Sequence, residues 1–203
     1  MGLVVLAAVA GYLTWPYWGG DPEVEVARLA ALLQLQPGMS AAEVGAGGGK
    51  MSVILARKLG PQGRVLATEM EEEQRSKIQK AAGDAGVATL QVLAAGEKST
   101  NLPAGCCDAV YLRKVYHHVT DPVSVNASLF EAVRPGGRLA VIDFAPRSWM
   151  FWLQRPQGVP ENRGGHGIPP ALLIEEMTSA GFVFESRHDD WAERNYCVVF
   201  RKP

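Results

Sequence analysis

Apolar residues along this chain switch repeatedly between the spacing of an α-helix and the spacing of a buried strand. Between residues 24 and 33, Val26, Leu29, Ala30 and Leu33 fall on one helical face. Helical spacing recurs, and short apolar runs typical of buried strands lie between the helical segments. The predicted helices are 24–33, 50–60, 70–82, 122–133 with Asp121 as its N-cap, and 169–181, and the predicted strands are 40–44, 64–69, 88–95, 108–112 and 138–144.

The order of these segments predicts the fold class. Strands separated by helices of about ten residues imply an α/β fold, in which a parallel sheet carries helices on both faces. The last two strand-like segments, 182–191 and 195–203, are joined too tightly for a crossover, so we expect them to be antiparallel. Ligands of such folds bind at the carboxyl ends of the strands.

Composition narrows the class of protein. The chain has 203 residues, of which 47% are hydrophobic, and this length suits one domain with a sizeable core. A formal net charge of -1 is unlike that of a nucleic-acid-binding protein, so we expect no nucleic-acid partner. Cys106, Cys107 and Cys197 fit neither a disulfide framework nor a metal site, and we interpret them as unpaired thiols in a cytoplasmic, reducing compartment.

The amino-terminal segment differs from the rest of the chain. Residues 2–20 carry no charge, and Trp15, Tyr17 and Trp18 follow an aliphatic run. No Lys or Arg precedes Arg28, which argues against a secretory signal. We therefore divide the chain into an amino-terminal segment, 1–20, and a domain, 21–203. Two interpretations of the segment stay open: an apolar arm packed on protein, or a membrane-anchoring or targeting segment through residues 2–18.

The segment 41–50, AAEVGAGGGK, carries the strongest functional signal, because glycine lets a backbone approach a ligand closely. A phosphate-binding Walker loop is excluded, since Val44 and Met51 occupy two of its required positions. The dinucleotide fingerprint fails at Lys50, where its third glycine would lie. The remaining pattern is E-x-G-x-G-x-G after a strand and before a helix.

Four segments together resemble the class I S-adenosylmethionine-dependent methyltransferases, in particular the small-molecule branch that includes quinone-biosynthesis and arsenite methyltransferases. They are EVGAGGGK, RVLATEME, DAVYLRKVYHHV and EAVRPGGRLAVIDF, in that order. The resemblance covers about residues 25–202. It implies a Rossmann-like sheet of seven mostly parallel strands, helices on both faces and an antiparallel last strand.

The resemblance also implies a binding site for S-adenosylmethionine. The glycine turn would lie against the methionine part and ribose of the cofactor, with Glu43 accepting from its ammonium or steadying the loop amides. Glu69 would accept from both ribose hydroxyls, although its alternative role is a solvated helix cap. Met70 would pack on the adenine, and Glu97 would hold the adenine amino group. The implied cofactor-binding residues are Glu43, Gly45, Ala46, Gly47, Gly49, Glu69, Met70, Glu97, Leu112 and Arg113.

Candidate acceptor-site residues follow the fourth and fifth strands. The candidate bases are Tyr116, His117, His118 and His166, and a base is needed only if the acceptor is protonated. Residues 145–170 have the composition of an active-site lid, in which Trp149, Phe151 and Trp152 would wall a pocket; alternatively they form an apolar patch packed on the amino-terminal segment. No cluster with metal-ligand spacing is present, so we expect no metal.

These features together favour an enzyme that transfers a methyl group from S-adenosylmethionine to a small-molecule acceptor. Two alternatives remain: an inactive S-adenosylmethionine-binding regulatory module, and an NAD-linked oxidoreductase. We expect a cytoplasmic protein, or one associated with membranes through its amino-terminal segment.

Overall fold

The computed structural model describes residues 20–146 and 167–203. Helices in this part of the chain are α1 (Pro22–Leu32), α2 (Lys50–Leu59), α3 (Glu72–Asp84), α4 (Pro122–Ala132) and α5 (Pro170–Ser179). Strands are β1 (Ser40–Val44), β2 (Arg64–Glu69), β3 (Leu90–Ala94), β4 (Cys107–Arg113), β5 (Val133–Asp143), β6 (Val183–Trp191) and β7 (Asn195–Arg201). Single 3₁₀ turns lie at Tyr116–His118 and Ala192–Arg194.

The strands form one sheet in the order β3-β2-β1-β4-β5-β7-β6. Strands β1 to β5 are parallel, whereas β7 is antiparallel to both β5 and β6. The predicted α/β fold, with its seven-stranded mostly parallel sheet and antiparallel last strand, is therefore confirmed. The chain runs outward from β1 to β3 and returns to pair β4 with β1, which makes the carboxyl ends of β1 and β4 the switch point where such folds bind ligands.

Alternating side chains of the strands divide the core into two clusters, one on each face of the sheet. Ala109 and Tyr111 of β4 pack with α1, α2 and α3, while Val110 and Leu112 pack with α4 and α5. At the carboxyl end of β4, this alternation sends Leu112 and Arg113 to opposite faces. The switch point therefore has the apolar Leu112 side chain on one face and the cationic Arg113 side chain on the other.

Residues at the helix starts agree with the sequence pattern. The Asp121 carboxylate accepts from the Ser124 amide at 3.0 Å and Pro122 is the first residue of α4, as expected for an N-cap followed by proline. Asp21 caps α1 in the same way, accepting from the Glu23 amide at 2.9 Å.

The interpretation of the cysteines is wrong for two of the three. Cys106 and Cys107 are joined as a disulfide between neighbours, and only Cys197 among the three is a free, buried thiol. Sequence spacing did not indicate the pair, because adjacent cysteines rarely meet the geometry that a disulfide requires.

The predicted amino-terminal segment lies outside the described residues except for Gly20. Among residues 20–146 and 167–203, no helix combines the length and the apolar character needed to cross a bilayer.

Candidate active site

The glycine turn joins β1 to α2 and is fixed to the neighbouring strand β2. The amides of Gly45 and Ala46 both donate to the Thr68 carbonyl, at 2.9 and 3.1 Å. A Cβ at Gly45 would lie 2.5 Å from Val115, whereas a Cβ at Gly47 would meet nothing within 4 Å. Gly45 is thus required for packing, and Gly47 borders open space with a φ of 53°.

Glu69, at the carboxyl end of β2, ties this turn to the end of its own strand. One carboxylate oxygen accepts from the Gly47 amide at 2.9 Å, and the other accepts from the Met70 amide at 2.8 Å. Glu69 does not cap α3, whose N-cap residue is Glu71. The helix-cap alternative is therefore wrong, and each carboxylate oxygen retains a lone pair for a ligand hydroxyl.

A cavity of about 670 Å³ opens beside this carboxylate, on the α4 and α5 face of the sheet. We call it the large cavity. Its walls include the predicted Gly45, Glu69, Met70, Glu97, Leu112 and His118, together with Val44, Glu71, Ala95, Gly96, Ser99, Thr100, Val115, Val119, Thr120 and Val125. Apolar side chains thus form one part of the lining and carboxylates another.

The loop that carries Glu97 is held in place by hydrogen bonds on both sides. The Gly96 amide donates to the Ser99 carbonyl at 2.8 Å, and the Thr100 amide donates to Ser128 Oγ of α4 at 2.9 Å. Glu97 itself is exposed and lines the large cavity. These contacts hold the Glu97 loop at the edge of the large cavity.

A second cavity of about 270 Å³ lies on the opposite face of the sheet, beside α1. We call it the small cavity. The glycine turn separates the two, and Gly45 lines both. Charged side chains border the small cavity: Glu25, Glu43, Lys50 and Arg113.

Glu43 is buried in the core beneath the glycine turn. Ser52 Oγ donates to its carboxylate. Burial raises the pKa of Glu43 from 4.5 to about 7, and hydrogen bonds from Ser52 and Tyr111 offset part of that shift. Burial raises the pKa of Tyr111 as well, well above its usual value. Glu43 thus joins β1 to α2, consistent with the predicted role of steadying the loop.

Arg113 and Lys114 follow Leu112 at the end of β4, and both pair with acidic residues from distant segments. Arg113 Nε donates to Glu25 Oε1 at 2.9 Å. Glu193, in the turn between β6 and β7, forms ion pairs with both Arg113 and Lys114. Burial, followed by repulsion from Arg113, lowers the pKa of Lys114. Lys114 has a φ of 58° and Glu193 a φ of 60°, and such strained backbone clusters at functional sites.

The three adjacent candidate bases point in different directions, because successive residues of a 3₁₀ turn lie about 120° apart. Tyr116 is buried, and its hydroxyl donates to Glu176 at 2.8 Å and accepts from Asn126 at 2.7 Å. His117 is buried with Nδ1 2.8 Å from Asp143 Oδ1. His118 is exposed and, of the three, is the one that lines the large cavity.

Several predicted acceptor-site residues lie outside the described residues: Trp149, Phe151, Trp152 and His166. Their roles stay predictions.

Sequence reasoning missed four residues of this region: Glu25, Asp143, Trp191 and Glu193. Asp143 carried a usable signal, because a carboxylate ends the buried run of β5 at the ligand edge of the sheet. The other three come from α1 and from the β6–β7 turn, and their approach to Arg113 depends on tertiary folding.

Comparisons with known proteins agree with this geometry. Residues 42–141 match the sequence model of the family described as Methyltransferase domain. A demethylmenaquinone methyltransferase of Listeria welshimeri is 23% identical over 123 residues, covering 61% of this chain and 52% of that protein. The chain spans 31% to 52% of the length of the curated relatives that it first matches.

Solved structures show the same fold. A methyltransferase from Aquifex aeolicus, described as SAM dependent, is 20% identical with a TM-score of 0.71, covering 90% of this chain and 99% of that one. The [4+2]-cyclase SpnF is 16% identical with a TM-score of 0.72, covering 93% of this chain and 87% of that one. Since one fold hosts several reactions, these structures bear on architecture alone. In its matched segment, its strand order and its glycine turn, this chain is similar to the S-adenosylmethionine-dependent methyltransferases.

Proposed function

We propose that this chain transfers a methyl group from S-adenosylmethionine to a small-molecule acceptor. The observation that carries the proposal is the Glu69 carboxylate, bound to the Gly47 amide at 2.9 Å where the glycine turn meets the large cavity. An exposed backbone beside an acidic strand end suits a ribose with two adjacent hydroxyls.

The residues present fit the cofactor. Open space at Gly47 and Gly48 leaves room for a ligand against the turn. Val44 and Leu112 give the large cavity an apolar wall for a planar base, with Glu97 at hand for its amino group. On the other face, Arg113 beside the small cavity suits a carboxylate. An adenosine end and an amino-acid end thus each have a matching cavity.

The chemistry asks the protein chiefly to position two reactants. When bound, S-adenosylmethionine supplies a methyl group on a sulfonium, whose departing thioether is an excellent leaving group. Holding the acceptor in line at about 3 Å therefore supplies much of the rate. In this proposal the His118 imidazole, which lines the large cavity, accepts the proton of a protonated acceptor.

The acceptor class is a finer proposal. One relative, which matches this chain over 52% of its own length, is named for demethylmenaquinone. A naphthoquinol is therefore the first acceptor to test. The predicted aromatic residues at 149, 151 and 152 would wall its pocket.

The test is methyl transfer by the 203-residue chain. Purified protein is incubated with S-adenosylmethionine labelled in the methyl group, together with a naphthoquinol or with fractions of a metabolite extract. We expect label in an organic-soluble product. Glu69→Ala should weaken cofactor binding by about 1.5 to 3 kcal/mol, the usual cost of a lost charged hydrogen-bond partner. Glu131→Ala, at an exposed site on α4, should bind as the wild type does.

The alternatives give different outcomes. Binding of S-adenosylmethionine without transfer to any fraction would favour an inactive binding module. Binding of NAD in its place, measured by calorimetry, would favour an oxidoreductase and reject the proposal.

A further inference from the structure

Glu25 of α1 is a buried acid that the proposed mechanism does not use. Its side chain is 3% exposed, and its Oε1 accepts from Arg113 Nε at 2.9 Å and from Trp191 Nε1 at 2.8 Å. Its Oε2 is buried and accepts no hydrogen bond within the described residues. An unpartnered carboxylate oxygen in such a place costs free energy unless a ligand donor reaches it.

The surroundings of Glu25 are those of a ligand site. It lines the small cavity together with Arg113 and the glycine turn. Within the described residues, Arg113 donates a hydrogen bond from Nε but none from its terminal nitrogens. Its ion pair with Glu193 is too long for a hydrogen bond, with 3.7 Å between Arg113 Nη2 and Glu193 Oε2. The Glu25 carboxylate and the Arg113 guanidinium, which bond to each other, therefore both border the small cavity. Arg113 retains N–H donors for a ligand, and Glu25 retains Oε2 as an acceptor.

A free amino acid is the chemical group that complements this pair. Its ammonium and carboxylate are separated by a single carbon, so they can meet a carboxylate and a guanidinium that are themselves in contact. Glu43, which also lines the cavity, is a poorer partner for an ammonium because Ser52 and the core already hold its carboxyl. Lys50, the other cation of the cavity, is exposed at the start of α2.

We propose that Glu25 binds the α-ammonium of the amino-acid end of the cofactor, beside Arg113 on its carboxylate, and that Trp191 positions the Glu25 carboxylate. The assignment rests on the proposed function. It gives α1 and the end of β6, both outside the matched residues 42–141, a direct role in recognition. Glu25 thus selects ligands that carry an intact amino acid.

Calorimetry on the 203-residue chain with two probes tests the assignment. S-adenosylhomocysteine carries the amino acid, whereas 5′-methylthioadenosine carries the adenosine and thioether without it. Glu25→Gln keeps an acceptor for Trp191 but loses the charge, so it should weaken binding of S-adenosylhomocysteine about tenfold. Binding of 5′-methylthioadenosine should change less than about twofold, because that probe makes no charged contact there.

Two further variants complete the design. Glu23→Gln makes the same charge change at an exposed site on α1 and should leave both affinities unchanged. Trp191→Phe removes the indole donor alone, and it should weaken S-adenosylhomocysteine about threefold while sparing the other probe.

The outcomes separate this inference from the proposed function. If the wild type binds S-adenosylhomocysteine and neither Glu25→Gln nor Trp191→Phe weakens it, the ammonium site is wrong and the function stands. Equal weakening of both probes would also reject it, since that pattern reports general damage. A wild type that binds neither probe would reject the proposed function, and the ammonium site with it.

Discussion

At the scale of single residues, the Glu43 carboxyl couples the stability of the fold to pH. Its pKa of about 7 in the folded protein lies above the ordinary 4.5, so the folded state holds a proton that the unfolded chain releases between these values. The free energy of unfolding should therefore fall as pH rises from 4.5 towards 7, and then level off.

Glu43→Gln should remove this pH dependence. The glutamine keeps an acceptor for Ser52 but never ionises, so the variant should gain stability relative to the wild type between pH 5 and 8, by about 2 to 3 kcal/mol. Urea denaturation at several pH values measures the difference, with exposed Glu131→Gln as the control whose curve should parallel the wild type. Parallel curves for Glu43→Gln would show that Glu43 is ionised in the folded state.

Two glycines offer a matched test of backbone requirement. Gly49 is the N-cap residue of α2 and has a φ of 77°, and a Cβ there would lie 2.8 Å from Ile78. Gly83 lies within α3 with no atom near an added Cβ. Gly49→Ala should lower the free energy of unfolding by about 1 to 3 kcal/mol through strain and overpacking. Gly83→Ala should raise it by about 0.5 to 1 kcal/mol. Shifts of the same sign in thermal unfolding would contradict the proposed difference.

At the scale of elements, the 3₁₀ turn after β4 places its three residues, Tyr116–His118, in different surroundings. His118 faces the large cavity, while His117 pairs with Asp143 inside the protein. His118→Ala should lower kcat/KM for the acceptor about tenfold, as expected for one positioned contact, with unchanged thermal stability.

His117→Ala provides the contrast. It should lower the free energy of unfolding by about 1 to 3 kcal/mol, because the buried Asp143 carboxylate loses a partner. Steady-state kinetics and thermal unfolding of both variants check the division. A His117 variant of wild-type stability with a large loss of kcat/KM would return the base to His117, as the sequence allowed.

The helices and strands were predictable because each one follows from the local spacing of apolar residues. The strand ending at Glu69, the N-cap at Asp121 and the antiparallel pair at the carboxyl terminus follow from spacing over a few residues. The glycine turn was found for the same reason. Glu25 was not, because its contacts reach Arg113 and Trp191 across 88 and 166 positions of sequence, and no local pattern encodes such pairs.

At the scale of the whole molecule, the site joins two halves of the core. The small cavity lies on the face covered by α1, α2 and α3, and the large cavity on the face covered by α4 and α5. One ligand that fills both would contact side chains from each face at once. Since such a ligand binds the folded state alone, its binding free energy adds to the stability of both faces together.

The shared position of Gly45 on both cavities therefore has a consequence for motion. Without ligand, the two faces can open in separate steps, and the backbone amides of α2 and α4 can exchange their hydrogens with solvent at unrelated rates. With saturating S-adenosylhomocysteine, opening either face must release the same ligand. Deuterium uptake in the two helices should then slow by a similar factor, and slowing confined to one helix would show that the ligand rests on a single face.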